Sequence, residues 1–312
     1  MNILMVGHSR AGKTSYMAGL YKEFGELNEN FGLLMTDSDK RDNLIRLGQA
    51  IERGCYPSGT DIASQYQFYL QYDNESLIPF NWYDYRGGAL SESSKNSADA
   101  KDLLRRMNMA DALIIFLDGE KITRMTDEDL EDEYDILLWA IQNAVSKRSL
   151  DGEYYPVSFI ITKGDLYSNS EPLLNSPGLN YFMPLIKNIA NSENTAGMIG
   201  IVQVSTEGIY NVYSPLIFSL YYGMHHYTRT RMKSINAEID RYNSYSPGLF
   251  DDICTFLDNL CGGNARTDRQ LSIESAKKIE EEKRKIEKLN QLSTEMEEIL
   301  NKLVEYNMII KF

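Results

Sequence analysis

Cysteine and histidine are both scarce in this chain, three of each in 312 residues, and what they leave out narrows the function at once. Cys55, Cys254 and Cys261 form no CxxC and no Cys/His cluster, so neither a disulfide framework nor a zinc site is indicated. His225 and His226 are adjacent but have no partner at metal-ligand spacing, which suits solvated or packing side chains. Cations are in deficit as well. With 32 Lys and Arg against 45 Asp and Glu the formal net charge is −13, which argues against a general grip on nucleic acid or adhesion to an anionic membrane. No run of about 18 apolar residues occurs, and even "SPLIFSLYYGMHHY" is interrupted by Ser, Gly and His. The first residues lead straight into a strand pattern, with no basic leader, long apolar core or cleavage site. The expectation is a soluble, cytoplasmic protein with no membrane span.

What is present is enough apolar content, 43%, to fill the core of one large domain or two smaller ones. Apolar, β-branched runs recur along the chain: "NILMV", "YQFYLQY", "FNWYDY", "DALIIFLD", "PVSFIIT" and "GIVQVS". Helical patterns such as "LEDEYDILLWAIQNAVSK" and "PLIKNIANSE" lie between them, and this alternation indicates an α/β fold with a mostly parallel sheet flanked by helices. Most of the 21 tyrosines fall inside these runs, where sheet and core packing account for them better than base stacking does.

Beyond about residue 208 the texture changes. Ser214-Pro215 and Ser246-Pro247 are helix-start signals, "CGGN" at 261–264 is a break, and residues 268 to about 307 hold no Pro or Gly and are dense in Glu and Lys. In that last segment Leu289, Met296, Leu303 and Ile310 are seven apart, with Leu292, Ile299 and Tyr306 interleaved. That is an a/d seam of roughly three heptads. The same stripe also suits an amphipathic helix packed on its own domain. The expected organisation is a nucleotide-binding domain over 1–223 and a helical extension over 224–312, ending in a long helix that is coiled coil or packed back.

The stretch "MVGHSRAGKTSYMAGLY" completes G-x-x-x-x-G-K-[ST] with Gly7, His8, Ser9, Arg10, Ala11, Gly12, Lys13 and Thr14, followed by Ser15. Each residue type has a chemical reason. The glycines let backbone wrap closely around phosphate and point N–H groups inward. Lys13 brings a point charge to the β- and γ-phosphates, and the Thr14 hydroxyl suits Mg²⁺. A helix starting near Lys13 aims its positive end at the anion.

Guanine selection needs a carboxylate that accepts from both N1–H and the exocyclic amine. In "FIITKGD" an apolar strand ends in Thr162-Lys163-Gly164-Asp165, the spacing of an N/T-K-x-D motif. Asp165 is the base reader, with the Lys163 stem across the ring; the plain alternative is a strand-end turn. Downstream, "IVQVSTEG" is a further strand ending in Ser205-Thr206, where a loop can offer backbone N–H to the guanine O6. Between these motifs "FNWYDYRGG" ends in Asp84-Tyr85-Arg86-Gly87, a D-x-x-G: Asp84 suits Mg²⁺ through a water and the Gly87 amide suits the γ-phosphate. In "GCYPSGTDIAS", Thr60 suits a threonine that reaches Mg²⁺ only with the γ-phosphate present.

This order of motifs resembles the Ras-like GTPases of the TRAFAC class over roughly residues 1–223. The segments around Thr60 and Asp84 look more like the bacterial double-GTPases associated with conflict or defence systems. The resemblance implies a P-loop G domain that binds GTP and GDP with Mg²⁺ held by Thr14, Thr60 and Asp84. It also implies slow hydrolysis as a conformational switch, with output through the helical C-terminal region to a protein partner or by self-association.

Two departures qualify this. The family's water-orienting glutamine is replaced by Gly88, so that role has no carrier here and hydrolysis is expected to be slow. The segment "NFGLLMTDSDKRDNLIRLGQAIERGCYPSGT", about 28–60, is long for a switch loop and carries its own strand and helix pattern, an insertion. Arg10 and Arg86 are candidates for stabilising transition-state charge, or plain surface residues. Two other readings stay open: a P-loop ATPase without strict guanine selection, and a GTP-binding interaction module with little turnover.

Overall fold

The computed structural model describes residues 1–24, 30–58, 63–85, 95–151, 154–166, 177–244 and 268–312. In chain order the elements are β1 (Asn2–Val6), α1 (Lys13–Glu23), β2 (Phe31–Met35), α2 (Ser38–Glu52), β3 (Ser64–Tyr72), β4 (Glu75–Asp84), α3 (Ala98–Met109) and β5 (Ala112–Asp118). They continue as α4 (Gly119–Arg124), α5 (Asp127–Asp151), β6 (Tyr155–Thr162), a 3-10 turn (Gly164–Leu166), α6 (Pro177–Asn191) and β7 (Thr195–Ile201). The last are β8 (Gln203–Ser205), β9 (Gly208–Tyr210), α7 (Ser214–Ser244), α8 (Asp268–Glu305) and β10 (Ile309–Lys311). The expected architecture, an α/β P-loop fold with a mostly parallel sheet flanked by helices and a helical C-terminal segment, is the one observed.

Eight strands form the main sheet in the order β10, β7, β6, β5, β1, β4, β3, β2. The β1, β4, β5, β6 and β7 pairings are parallel, and both flanks are closed by antiparallel strands. Strands β5 and β6 are buried at every residue, as central parallel strands covered on both faces must be. Strand β3 alternates instead, and it turns into β4 through Asp73 and Asn74, both at positive φ (48° and 61°), the geometry of a tight hairpin. The stretch "FGLLM" and the helix after it are β2 and α2, whose first turn is capped by the Asp37 carboxylate accepting from Lys40 N–H at 3.1 Å. Among the described residues no helix is long and apolar enough to cross a membrane.

The chain divides into two compact units, one of Met1–Gly223 with Glu295–Phe312, the other of Met224–Thr294. Residues 295–312 thus cluster with the unit that holds the main sheet, whereas the sequence pattern placed them in the helical extension over 224–312. The heptad seam is corrected at the same place. Helix α8 stops at Glu305 through a Schellman cap: Asn307, at φ 56°, donates to Val304 O, and Met308 N–H donates to Leu303 O. The chain then enters β10, which pairs with β7 through Ile310↔Ile199, so Ile310 is an exposed strand residue and not a seam position. Met296, Leu300 and Leu303 are buried in the single chain, with Leu300 in the place expected for Ile299. Along this part of α8 the packed-back helix is observed. Phe312 exchanges backbone hydrogen bonds with Gly197, whose missing side chain makes room for the aromatic ring.

The sequence run "GIVQVS" is also divided. Val202 N–H donates to Ile161 O, and Val202 O accepts from Gly164 N–H, which ends β7 and turns the chain away. Gln203–Ser205 then pairs with Gly208–Tyr210 as a separate two-stranded sheet.

Candidate functional site

The carboxyl ends of β1, β5, β6 and β7 converge on one cavity of about 460 Å³, the usual location and size for a ligand site in an open α/β sheet. Its floor is the loop after β1. Gly7 lies so flat on β5 that a Cβ there would stand 2.7 Å from Phe116 O. Gly12 has φ +84° and Arg10 φ 66°, two left-handed residues that fold the loop around its own centre. Ser9, Arg10, Ala11, Gly12, Lys13, Thr14 and Ser15 all line the cavity, and α1 begins at Lys13 with its N-terminal end toward the loop.

Lys13 is buried, and its ammonium donates to Gly7 O at 2.8 Å and His8 O at 3.2 Å. Burial lowers its pKa and the nearby Asp84 carboxylate works against that shift. Asp84, at the end of β4 beside Met5 of β1, is pushed up to about 6 by burial, with Lys13 opposing. Its Oδ1 is buried without a hydrogen-bond partner. A buried carboxylate oxygen of that kind suits a cation or its bound water, so the donor set fits Mg²⁺ carried in by a nucleotide. Among the described residues no group of three or more His, Cys, Asp and Glu could hold a metal.

The second wall is the turn after β6. Thr162, Lys163 and Asp165 line the same cavity as the phosphate loop, and the two loops meet where Gly12 faces the Thr162 side chain at 3.3 Å, measured from a Cβ built on the glycine. Thr162 Oγ1 donates to Leu117 O, which fixes the strand end. Lys163, at φ 58°, is clamped by Asp118 Oδ2 at 2.7 Å and Glu120 Oε2 at 3.3 Å. The opposite rim is Tyr56, Pro57 and Ser58, which the sequence reading did not single out.

Not every expected residue comes to the cavity. Val202 and Val204 line it where Ser205 and Thr206 were expected. The Ser205 hydroxyl instead accepts from Glu207 N–H at 3.2 Å and from Gln203 Nε2, so it holds its own hairpin together. Thr60, Arg86 and Gly87 lie outside the described residues. His8 belongs to the loop but turns its side chain under it: the ring packs edge-on against Tyr134 at 4.9 Å, and Nδ1 lies 3.7 Å from Glu133 Oε1. Burial lowers the His8 pKa to about 4, with Glu133 pulling upward and Lys121 and Lys13 pushing down, so the ring is neutral at pH 7.

No family model matches the chain, and no curated protein matches it. Among solved structures it is similar to the GDP complex of the ADP-ribosylation-factor-like small COPII coat GTPase SAR1 of Encephalitozoon cuniculi, at 12% identity over 75% of this chain and 82% of that one, TM-score 0.32. It is similar to a signal recognition particle receptor SRb-GTP/SRX complex from Chaetomium thermophilum, at 14% identity over 64% and 90%, TM-score 0.36. It is also similar to a GDP-bound mutant of NFeoB from S. thermophilus, at 12% identity over 99% and 95%, TM-score 0.34. At these identities the likeness concerns the fold and not the chemistry.

Proposed function

We propose that this chain binds GTP and GDP with Mg²⁺ and hydrolyses GTP slowly to GDP and phosphate, as a conformational switch with a protein partner at its helical C-terminal region. The observation that carries the proposal is that residues 9–15 of the phosphate loop and Thr162, Lys163 and Asp165 of the T-K-x-D turn line one cavity, with Gly12 facing Thr162. A phosphate site alone would be indifferent to the base. A carboxylate at the far end of the same cavity gives it a reason to choose guanine.

In this reading the Lys13 ammonium exchanges the carbonyls of Gly7 and His8 for phosphate oxygens, a substitution its buried position makes strong. The loop amides and the start of α1 orient the triphosphate, and Asp165 accepts from the two guanine N–H edges. A Mg²⁺ brought in with the nucleotide would be held on the protein side by the Thr14, Asp84 and Thr60 oxygens and would supply charge neutralisation to the triphosphate. Water attacks the γ-phosphorus in line, and the bond to the β–γ bridging oxygen breaks. Gly87 senses the γ-phosphate, and Arg86 or Arg10 is the cation available in cis. Output has a structural route in β7: it carries β10 and the tail on one edge, and it runs into Val202 at the cavity.

The test is equilibrium binding of GTP and GDP to nucleotide-free protein in Mg²⁺, beside Lys13→Ala. Loss of most of the affinity in the variant is expected, by a factor of about 100 or more, since a charge-assisted contact to phosphate is removed. Undiminished binding in Lys13→Ala would remove the phosphate-loop assignment. A second reading, a GTP-holding interaction module with little turnover, is favoured by Gly88. Single-turnover hydrolysis separates the two: GDP formation over minutes to hours supports a switch, and intact GTP supports the module.

A further inference from the structure

Helix α4 is only six residues long, yet it is fixed from both sides by backbone contact. A Cβ on Gly119, its first residue, would stand 2.4 Å from Thr162 O of the base-side strand. On its other side a Cβ on Gly178 of α6 would stand 1.9 Å from Ile122 O. A helical turn pressed this closely between two backbones shifts only as one body with them, so whatever its side chains hold is held in common.

Of its neighbouring residues, Glu120 lines the cavity beside Lys163 and Lys121 pairs with α5. Glu120 Oε2 lies 3.3 Å from Lys163 Nζ and completes the clamp begun by Asp118, whose Oδ1 also accepts from Glu120 N–H at 3.1 Å. Lys121 Nζ donates to Glu133 Oε1 of α5. That same oxygen is 3.7 Å from His8 Nδ1, and His8 O is one of the two carbonyls that receive the Lys13 ammonium. The path from α4 to the phosphate loop is therefore an ion pair from Lys121 to Glu133, the close approach of Glu133 to the neutral His8 ring, and the His8 carbonyl that receives Lys13. The path to the base loop is Glu120, Lys163. The two side-chain pairs that carry these paths are not local in sequence: Glu133 is 12 residues from Lys121, and Lys163 is 43 from Glu120.

We propose that α4 is a shared support for both ends of the nucleotide, with Glu133 the positioning residue for the phosphate loop and Glu120 the positioning residue for the base loop. The inference rests on the cavity being the guanine-nucleotide site proposed above, and adds how its two ends are held in common register. A support of this kind separates by ligand part. Weakening the Glu133 arm affects everything that carries a β-phosphate, whatever its base. Weakening the Glu120 arm affects the discrimination between bases. Because both arms pull on one rigid turn, their effects are coupled and not independent.

The experiment is a double-mutant cycle with Glu133→Gln and Glu120→Gln, isosteric changes that remove charge and keep volume. GDP and ADP affinities are measured in Mg²⁺ at a temperature where melting shows every variant folded. Glu133→Gln is expected to weaken GDP about fivefold and leave the GDP-to-ADP ratio unchanged, the scale of one partly exposed ion pair. Glu120→Gln is expected to lower that ratio. The double variant is expected to depart from the product of the two single effects by about threefold or more. A loss confined to melting temperature, with nucleotide affinities at wild-type values, would reduce both carboxylates to structural ion pairs and overturn the proposal. So would strict multiplicativity of the two effects. Failure of the wild type itself to bind GDP would remove the nucleotide reading and this proposal with it, whereas wild-type binding with unaffected variants removes this proposal alone.

Discussion

His8 provides a way to test the buried architecture beneath the phosphate loop by pH alone. The ring is 3% exposed, and its pKa falls from 6.5 to about 4, chiefly because burial disfavours the charged form. Between those two values the unfolded chain binds a proton that the folded chain does not, so stability falls as pH drops through this window. Relative to pH 8, the His8 contribution at pH 5 is a loss of about 2 kcal/mol, from 1.36 kcal/mol per pKa unit with partial titration at both ends. Asp84 acts in the opposite sense. Its pKa rises from 3.8 to about 6, so the folded chain takes up its proton first and gains about 1 kcal/mol over the same interval. Asp84 offsets half or more of the His8 loss in the wild type, and the shallow net response would conceal both. His8→Asn removes one of them. The pH responses of the two proteins between pH 8 and pH 5 should differ by about 2 kcal/mol, other groups cancelling in the difference. Both tryptophans, Trp82 and Trp139, lie in the unit that holds the cavity, so urea unfolding of nucleotide-free protein followed by tryptophan fluorescence reports on that unit. Identical pH responses for wild type and variant would refute a neutral His8 sealed under the loop.

Two further outcomes follow from packing. Leu300→Ala should destabilise the chain by about 2–5 kcal/mol, as for other buried leucines, without changing its sedimentation; unchanged stability with a dissociated oligomer would restore the self-associating seam. Gly178→Ala sets a Cβ against the Ile122 carbonyl and should cost about 3 kcal/mol or more, seen as a lowered urea midpoint, whereas an unaltered midpoint would mean that α4 and α6 are not in backbone contact.

How far the sequence carried depended on how local each feature is. The phosphate loop was legible because strand, turn and helix start are contiguous and Gly12 needs its left-handed φ of +84° locally, although what requires Gly7 is Phe116 O of the distant β5. The T-K-x-D turn was legible for the same reason. Ser205-Thr206 was not, because the end of β7 is fixed by Val202 bonding to Ile161 and Gly164, residues about forty positions earlier in the chain. The tail is instructive in a different way. A seven-residue repeat continued through Ile310, but Asn307 in the left-handed region stops the helix, and the repeat had no means of registering a cap. Glu120, Lys121 and Glu133 carry no signal in the sequence, since what distinguishes them is partners that only the fold brings together. Thr60, Arg86 and Gly87 remain expectations from the resemblance.

Guanine selectivity is the central claim, and Asp165 bears on it most directly. Nucleotide-free wild type and Asp165→Asn are titrated by calorimetry with GTP and with ATP, each in Mg²⁺. The expected result is tight GTP binding and weak ATP binding by the wild type, with Asp165→Asn losing about two orders of magnitude for GTP, the scale of two hydrogen bonds to a charged acceptor, and little for ATP. Comparable binding of ATP and GTP by the wild type, unchanged in the variant, would contradict it and leave a phosphate site that does not read the base.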